Sequence, residues 1–256
     1  MRIPTTLLIL LSTSAHALTG FDIASEMIAR DTGYISYTSD VNMAITAANG
    51  DTVYRDLTIK GIEQENDGDK IITYFQAPRD IAGTALLTFS HSIKADDQWL
   101  YLPSIKRVKR ISSNNRSGPF MGSEFAYEDM SSWELDKYSY ELVGEKMLDG
   151  KSYWLLSCFP RYENSGYSKL IAWIDQDIYQ PRKIEYYDRK GELFKRLSLS
   201  QYELYNQHYW RPEFSQMDNL QNKRSSSLTW KNMTLGSNVP QAQFEPKQLR
   251  NTYRYN

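Results

Sequence analysis

The sequence predicts a mainly β domain in which one antiparallel sheet curls into a barrel or half-barrel. Three observations point there. Short runs that alternate apolar and polar residues recur from about Val41 to Thr234. Hairpin signals punctuate them at Asn49-Gly50-Asp51, Asp67-Gly68-Asp69, Asp149-Gly150-Lys151 and Arg189-Lys190-Gly191. No Pro/Ser-rich linker and no fixed-period repeat divides the chain, so roughly ten strands belong to one unit.

The elements follow in order. Thr19-Gly20-Phe21-Asp22 starts a helix, with Asp22 in the first turn where a carboxylate favours the helix dipole. Ile23, Ala24, Met27 and Ile28 make its apolar stripe, and Gly33 stops it. Val41, Met43 and Ile45 then alternate with polar neighbours, as do Val53, Arg55, Leu57 and Ile59. Ile71 to Phe75 is a short strand ended by Pro78, and Ala85 to Ser90 and Gln98 to Leu102 come next. Later strands are read at Ser139–Met147, Ser152–Cys158, Lys169–Asp175, Arg182–Asp188, Leu193–Tyr205 and Leu228–Leu235. From Pro240 to Asn256 the pattern changes: Phe244, Pro246 and Leu249 suit a last short docking helix, followed by a frayed end.

The N-terminus sets the compartment. Arg2, the apolar run Leu7 to Leu11 and Ala15-His16-Ala17 have the order of a secretory signal peptide with an A-x-A cleavage site. Residues 1–17 are therefore read as the signal and 18–256 as the exported domain. No Cys stands at the cleavage point, so the product is not itself a lipoprotein, and no later run approaches the ~20 apolar residues of a membrane span.

Charge and residue types exclude several function classes. Net charge is −1, and loss of Arg2 lowers it further, which argues against nucleic-acid binding through a strong positive field. The one cysteine, Cys158, lies in an apolar run and reads as a buried small hydrophobe. There is no G-x-S-x-G, phosphate loop, H-x-x-x-H or C-x-x-C. His91 reads as a polar strand-end residue and His208 as part of a turn. The acidic pairs Asp96-Asp97, Glu128-Asp129 and Asp175/Asp177 could serve a glycosidase only if a fold set two carboxyls ~5–9.5 Å apart; turn or solvent positions explain them as well. No catalytic residue, metal ligand or cofactor is assigned.

The span Trp99–Met130 carries the most information. Trp99 and Tyr101 share one strand face, Leu100 and Leu102 the other. After a turn at Pro103-Ser104, a returning strand Lys106–Ser112 has charge on both faces. It is either a charged edge that resists aggregation or a basic rim for anionic head groups or a partner protein. In Gly118-Pro119-Phe120-Met121-Gly122, Phe120 and Met121 suit either a lid over an apolar cavity or plain core packing.

Five ordered blocks here carry a resemblance. Pro78-Arg79-Asp80-Ile81-Ala82-Gly83-Thr84-Ala85-Leu86-Leu87, Trp99-Leu100-Tyr101-Leu102-Pro103, Lys106-Arg107-Val108-Lys109-Arg110-Ile111, Phe120-Met121-Gly122-Ser123-Glu124-Phe125 and Tyr127-Glu128-Asp129 look like signature blocks of the outer-membrane lipoprotein-sorting protein family. That family includes a branch similar to the periplasmic carrier LolA. The blocks cover Pro78 to Asp129, and Phe244-Glu245-Pro246-Lys247-Gln248-Leu249 extends the fit.

The resemblance implies an incomplete (half) β-barrel covered by helices or loops, with an apolar cavity for acyl chains. It implies a periplasmic role without catalysis: carriage of lipid or lipoprotein between inner-membrane machinery and the outer membrane. Partners would be an inner-membrane transporter, either an exporter of the resistance–nodulation–division (RND) type or an ATP-driven (ABC-type) complex, and the carrier would be a monomer. Acyl contacts are expected from some of Leu87, Phe89, Trp99, Tyr101, Phe125 and Trp173 on the concave face, with Phe120 and Met121 in the lid. Lys106, Arg107, Lys109 and Arg110 are expected on the rim or partner face. A one-residue register error would turn each strand's set outward. The rival reading is an envelope interaction or sensor module whose cavity is merely a core; a hydrolase is the third.

Overall fold

A computed structural model describes residues 17–254, with side chains described to Asn251. The signal-peptide reading, bar its last residue, and the end of the frayed tail lie outside the described residues.

Helix α1 spans Gly20–Ala29. Thr19 caps it: the Asp22 amide donates to the Thr19 hydroxyl at 3.1 Å, and the Thr19 amide donates to the Asp22 carboxylate at 2.9 Å. Ile23, Ala24 and Met27 are buried against the sheet. Gly20 is required by close approach, since a Cβ there would sit 2.7 Å from the Leu142 backbone nitrogen.

Thirteen strands follow among the described residues. They are β1 Ser36–Thr46, β2 Thr52–Ile62, β3 Lys70–Ala77, β4 Ala85–Phe89, β5 Asp97–Leu102, β6 Arg107–Arg110, β7 Tyr138–Leu148, β8 Lys151–Pro160, β9 Tyr167–Asp175, β10 Pro181–Asp188, β11 Leu193–Tyr205, β12 Tyr209–Asn219 and β13 Ser225–Leu235. All pair antiparallel in one sheet, ordered β6-β5-β4-β3-β2-β1-β13-β12-β11-β10-β9-β8-β7. The four hairpin signals join β1 to β2, β2 to β3, β7 to β8 and β10 to β11.

Two details depart from the sequence reading. Strand β12 has no counterpart there, because Arg211-Pro212-Glu213 interrupts any apolar alternation and Pro212 cannot donate to a ladder. Strand β6 is shorter than Lys106–Ser112: Lys106 takes a left-handed conformation (φ 51°) that closes the preceding 3₁₀ turn.

The sheet is open at β6 and β7 but strongly curved. Tyr127 and Asp129, two residues apart, touch strands on far sides of it. The Tyr127 carbonyl accepts from Gln98 on β5 at 2.7 Å, and the Asp129 carboxylate accepts from the Tyr167 hydroxyl on β9 at 3.0 Å. On a flat sheet, strands nine places apart would lie about 43 Å from each other. The sheet therefore wraps into a half-barrel around α1 and the segment between β6 and β7.

Each wall has its own core. The concave face holds Val41, Met43, Leu57, Leu86, Leu100, Leu156, Cys158, Ala172 and Ile174 with Ile23, Phe120 and Phe125. Each fully buried aliphatic or aromatic side chain here contributes roughly 1.5–3 kcal/mol. The convex face of β3–β5 has a second layer, in which Ile72, Tyr74, Leu87 and Tyr101 are covered by Phe244 and Leu249 from two C-terminal 3₁₀ turns. Cys158 is enclosed in the concave core, where burial pushes its thiol pKa up.

This arrangement corrects the expected cavity set. Leu87, Phe89, Trp99 and Tyr101 share a face with one another, but it is the convex one, under the C-terminal segment. Trp173 is also convex. Its neighbours Ala172 and Ile174 point into the core, while its own ring meets Tyr153 and lies 3.2 Å beneath the Lys183 ammonium. Phe120, Met121 and Phe125 do join the concave core.

Candidate functional site

The half-barrel has two ends, and β12 runs between them. Asn219 marks one end and Arg211 the other, eight residues or about 26 Å apart.

The Asn219 end is closed by the loop carrying Phe120 and Met121. Phe120 is fully buried, its ring 5.7 Å from Phe75 and 5.6 Å from Tyr127. Met121 is left-handed (φ 49°) and Gly122 follows at φ +81°, so the loop exposes its carbonyls. Cations from three strands or their ends fasten those carbonyls. Arg55 donates to Met121 O, Arg224 to Gly122 O at 3.0 Å, and buried Lys195 to Glu124 O at 2.7 Å. The Glu124 carboxylate accepts from Asn219 at 2.7 Å and pairs with Arg224 at 2.8 Å, while the Ser226 hydroxyl accepts from the Glu124 amide at 2.9 Å. Of the two readings open for this loop, core packing describes its geometry: it is a fastened plug.

The Arg211 end holds a cavity of about 450 Å³. Met27 and Ile28 of α1 form one wall, with Ile71, Leu199, Trp133 and Trp230 around it. Its size falls within the ~300–1,000 Å³ range of small-molecule pockets. None of Leu87, Phe89, Trp99, Tyr101, Phe120, Met121, Phe125 and Trp173 lines it.

Its mouth is charged. Tyr34 donates to Asp69 at 2.6 Å, and Ser132 to the same carboxylate at 3.2 Å. Burial pushes Asp69 above the usual carboxylate range despite these bonds. Glu134 is pushed up too, by burial and then by the Asp69 charge. Arg211 pairs with Asp31 just beyond α1 and lies over the Tyr34 ring, 5.1 Å from its centroid. Burial lowers the Arg211 pKa to about 10. The Trp230 Nε1–H is buried without an acceptor among the described residues.

Beside the mouth, His91 bridges the β2–β3 connection and the start of β5. Its Nδ1 lies 2.6 Å from Asp67 and its Nε2 3.2 Å from Asp97, and Arg110 also bonds Asp97. Burial works against both carboxylates, yet these bonds hold Asp67 and Asp97 below the usual range. Of the four basic rim residues, Lys106, Arg107 and Lys109 are exposed on or beside the edge strand β6, and only Arg110 connects, through Asp97 and His91, toward the cavity. The other acidic pairs are structural. Asp175 is fully buried against Arg182 and Lys151, while Glu128 and Asp129 accept from Tyr162 and Tyr167. Among the described residues no cluster is placed to hold a metal ion, and no helix is long and apolar enough to cross a membrane.

No sequence pattern singles out the mouth residues Tyr34, Asp69, Glu134, Arg211 and Trp230. They come from five separate segments, and only the curl of the sheet assembles them.

Comparison with known proteins agrees with this architecture. A family model described as "uncharacterized protein" matches residues 67–251. A crystal structure of an outer membrane lipoprotein-sorting protein domain from Vibrio parahaemolyticus is 43% identical, with a TM-score of 0.88 over 90% of this chain and 98% of that one. A DUF1329 family protein from Desulfovibrio piger is 27% identical, with a TM-score of 0.86 over 90% and 97%. A LolA superfamily protein from Nitrosomonas europaea shares the fold at 20% identity, with a TM-score of 0.72 over 90% and 98%. No curated protein matches the chain.

Proposed function

Since the chain belongs to the outer-membrane lipoprotein-sorting protein family, we propose that it is a non-catalytic periplasmic carrier that shields lipid acyl chains in the cavity at the Arg211 end. The cavity itself carries this reading: about 450 Å³, walled by Met27, Ile28, Ile71, Leu199 and Trp230, inside a sheet whose other end is plugged. The physical need is plain. Each buried CH₂ is worth about 0.8 kcal/mol, so a sixteen-carbon chain resists passage through water by roughly 12 kcal/mol. An apolar cavity offsets that cost without chemistry.

Donor and acceptor would be membrane machinery, with an inner-membrane transporter of RND or ABC type as the partner. The exposed cations Lys106, Arg107 and Lys109 on an unpaired sheet edge support a docking role for that edge. Mass spectrometry of protein purified from a periplasm is the direct test, with displacement of a fluorescent fatty acid as the second readout. Co-purifying lipid and saturable displacement support the carrier. Repeated recovery without lipid, together with no fatty-acid binding, overturns it in favour of an interaction module. Charge reversal at Lys106, Arg107 and Lys109 separates the two surfaces, since it should abolish partner capture and leave lipid uptake intact.

A further inference from the structure

We infer that the mouth of the cavity is a headgroup subsite for zwitterionic phospholipids, in which Arg211 and Trp230 take a phosphate oxygen and Asp69 and Glu134 take the ammonium. This rests on the carrier reading and names the class of lipid it carries.

The mouth is mismatched as it stands. On one side are two partly buried side chains that carry N–H donors. Arg211 carries five N–H donors, and among the described residues its one ion pair is with Asp31, a half-exposed carboxylate just past α1. The Trp230 indole N–H has no acceptor among the described residues, and an unmet buried donor costs free energy until an oxygen reaches it. On the other side, Asp69 and Glu134 are desolvated acids that repel one another, and neither has an ion pair among the described residues. Lys137, which attenuates the Glu134 charge, is itself committed to Asp96.

Tyr34 fixes the spacing between the two sides. The Arg211 guanidinium lies over its ring, and its hydroxyl binds Asp69, so cation and anion meet one phenol, the first on its face and the second at its hydroxyl. A phospholipid head likewise carries its phosphate and its amine on one short linker. A purely anionic head would meet Asp31, Asp67, Asp69 and Glu134 around the same opening. A purely cationic head would leave the Trp230 donor unmet and face Arg211. A zwitterion answers both sides, with its acyl chain running inward along Met27, Ile28 and Leu199.

The test compares palmitoyl lysolipids bearing phosphoethanolamine, phosphocholine or phosphoglycerol heads, palmitate, and chain-free glycerophosphoethanolamine, each titrated below its micellar concentration. The zwitterionic heads should bind about tenfold or more tighter than phosphoglycerol. Arg211→Met and Trp230→Phe should each weaken all three phosphate-bearing lysolipids several-fold, and palmitate less. Asp69→Asn with Glu134→Gln should raise phosphoglycerol affinity toward the zwitterions. Trp230→Phe removes a single N–H from a ring of similar shape, so it reads the subsite even where Arg211→Met fails to fold. Equal binding of all three heads overturns the headgroup inference and leaves the carrier reading standing. Binding of no acyl ligand at all overturns both. Chain-free glycerophosphoethanolamine binding as tightly as its lysolipid would make the ligand a soluble phosphodiester and overturn the lipid assignment.

Discussion

The two ends of the half-barrel are built from the same strands and opposite electrostatics. At the plug, Arg55, Lys195 and Arg224 meet carbonyls and the Glu124 carboxylate over a fully buried Phe120. At the mouth, Asp69 and Glu134 crowd together while the Trp230 donor finds no acceptor among the described residues. A satisfied polar network rigidifies, whereas an unsatisfied one is a cost kept for some other purpose. One end holds the fold and the other keeps an open cavity.

The sharpest way to break this contrast is at the plug. Phe120→Ala should destabilise the protein by about 3–5 kcal/mol, seen in urea unfolding, because the buried ring leaves a cavity between Phe75 and Tyr127. A loss below about 1 kcal/mol would mean that the loop moves freely as a lid. The mouth counterpart, Tyr34→Phe, should cost only about 0.5–1.5 kcal/mol by deleting one hydroxyl bond to Asp69. A larger loss would place the mouth within the stabilising core. Smallest of all, Arg107→Glu and Lys109→Glu should shift stability by less than about 0.5 kcal/mol, since both side chains are exposed on an edge strand.

Acidity reads the same difference across the whole molecule. Burial raises Asp69, Glu128, Asp129 and Glu134 in the fold. A carboxyl whose folded pKa exceeds its unfolded one contributes stability below the unfolded value, and loses it as pH rises through the folded value. Melting temperature should therefore climb as pH falls toward the ordinary carboxylate range near about 4.5. Asp67, Asp97 and Asp175 act oppositely: their depressed values give stability above the unfolded pKa that is lost in stronger acid. Glu128→Gln should flatten the first limb in a thermal-melt series; an unchanged slope would remove Glu128 from the account.

Much of the sheet is legible in the sequence because hairpin turns and period-two alternation are local signals. The four Gly-containing turns and twelve of the thirteen strands are readable in that way. Which face lies inside is not. Alternation says that Trp99 and Tyr101 share a face, but only α1 on one side and Phe244 and Leu249 on the other decide that this face is convex. Strand β4 shows the difficulty most clearly: Ala85, Leu86, Leu87 and Thr88 are all buried, so no alternation survives to choose between walls. The mouth is invisible for a different reason. Arg211 sits beside Pro212 in the one unread strand, and Tyr34, Asp69 and Glu134 lie on separate connections that meet only after the sheet has curled.

Phe244 and Leu249, the side chains that cover the convex wall, are contributed by the two 3₁₀ turns that follow β13. A polypeptide cut short before Phe244 would retain all thirteen strands, plug and mouth, yet present Ile72, Leu87 and Tyr101 to solvent as a contiguous adhesive patch. Loss of that segment would thus turn a covered wall into an aggregation surface, and the turns after β13 act as its seal.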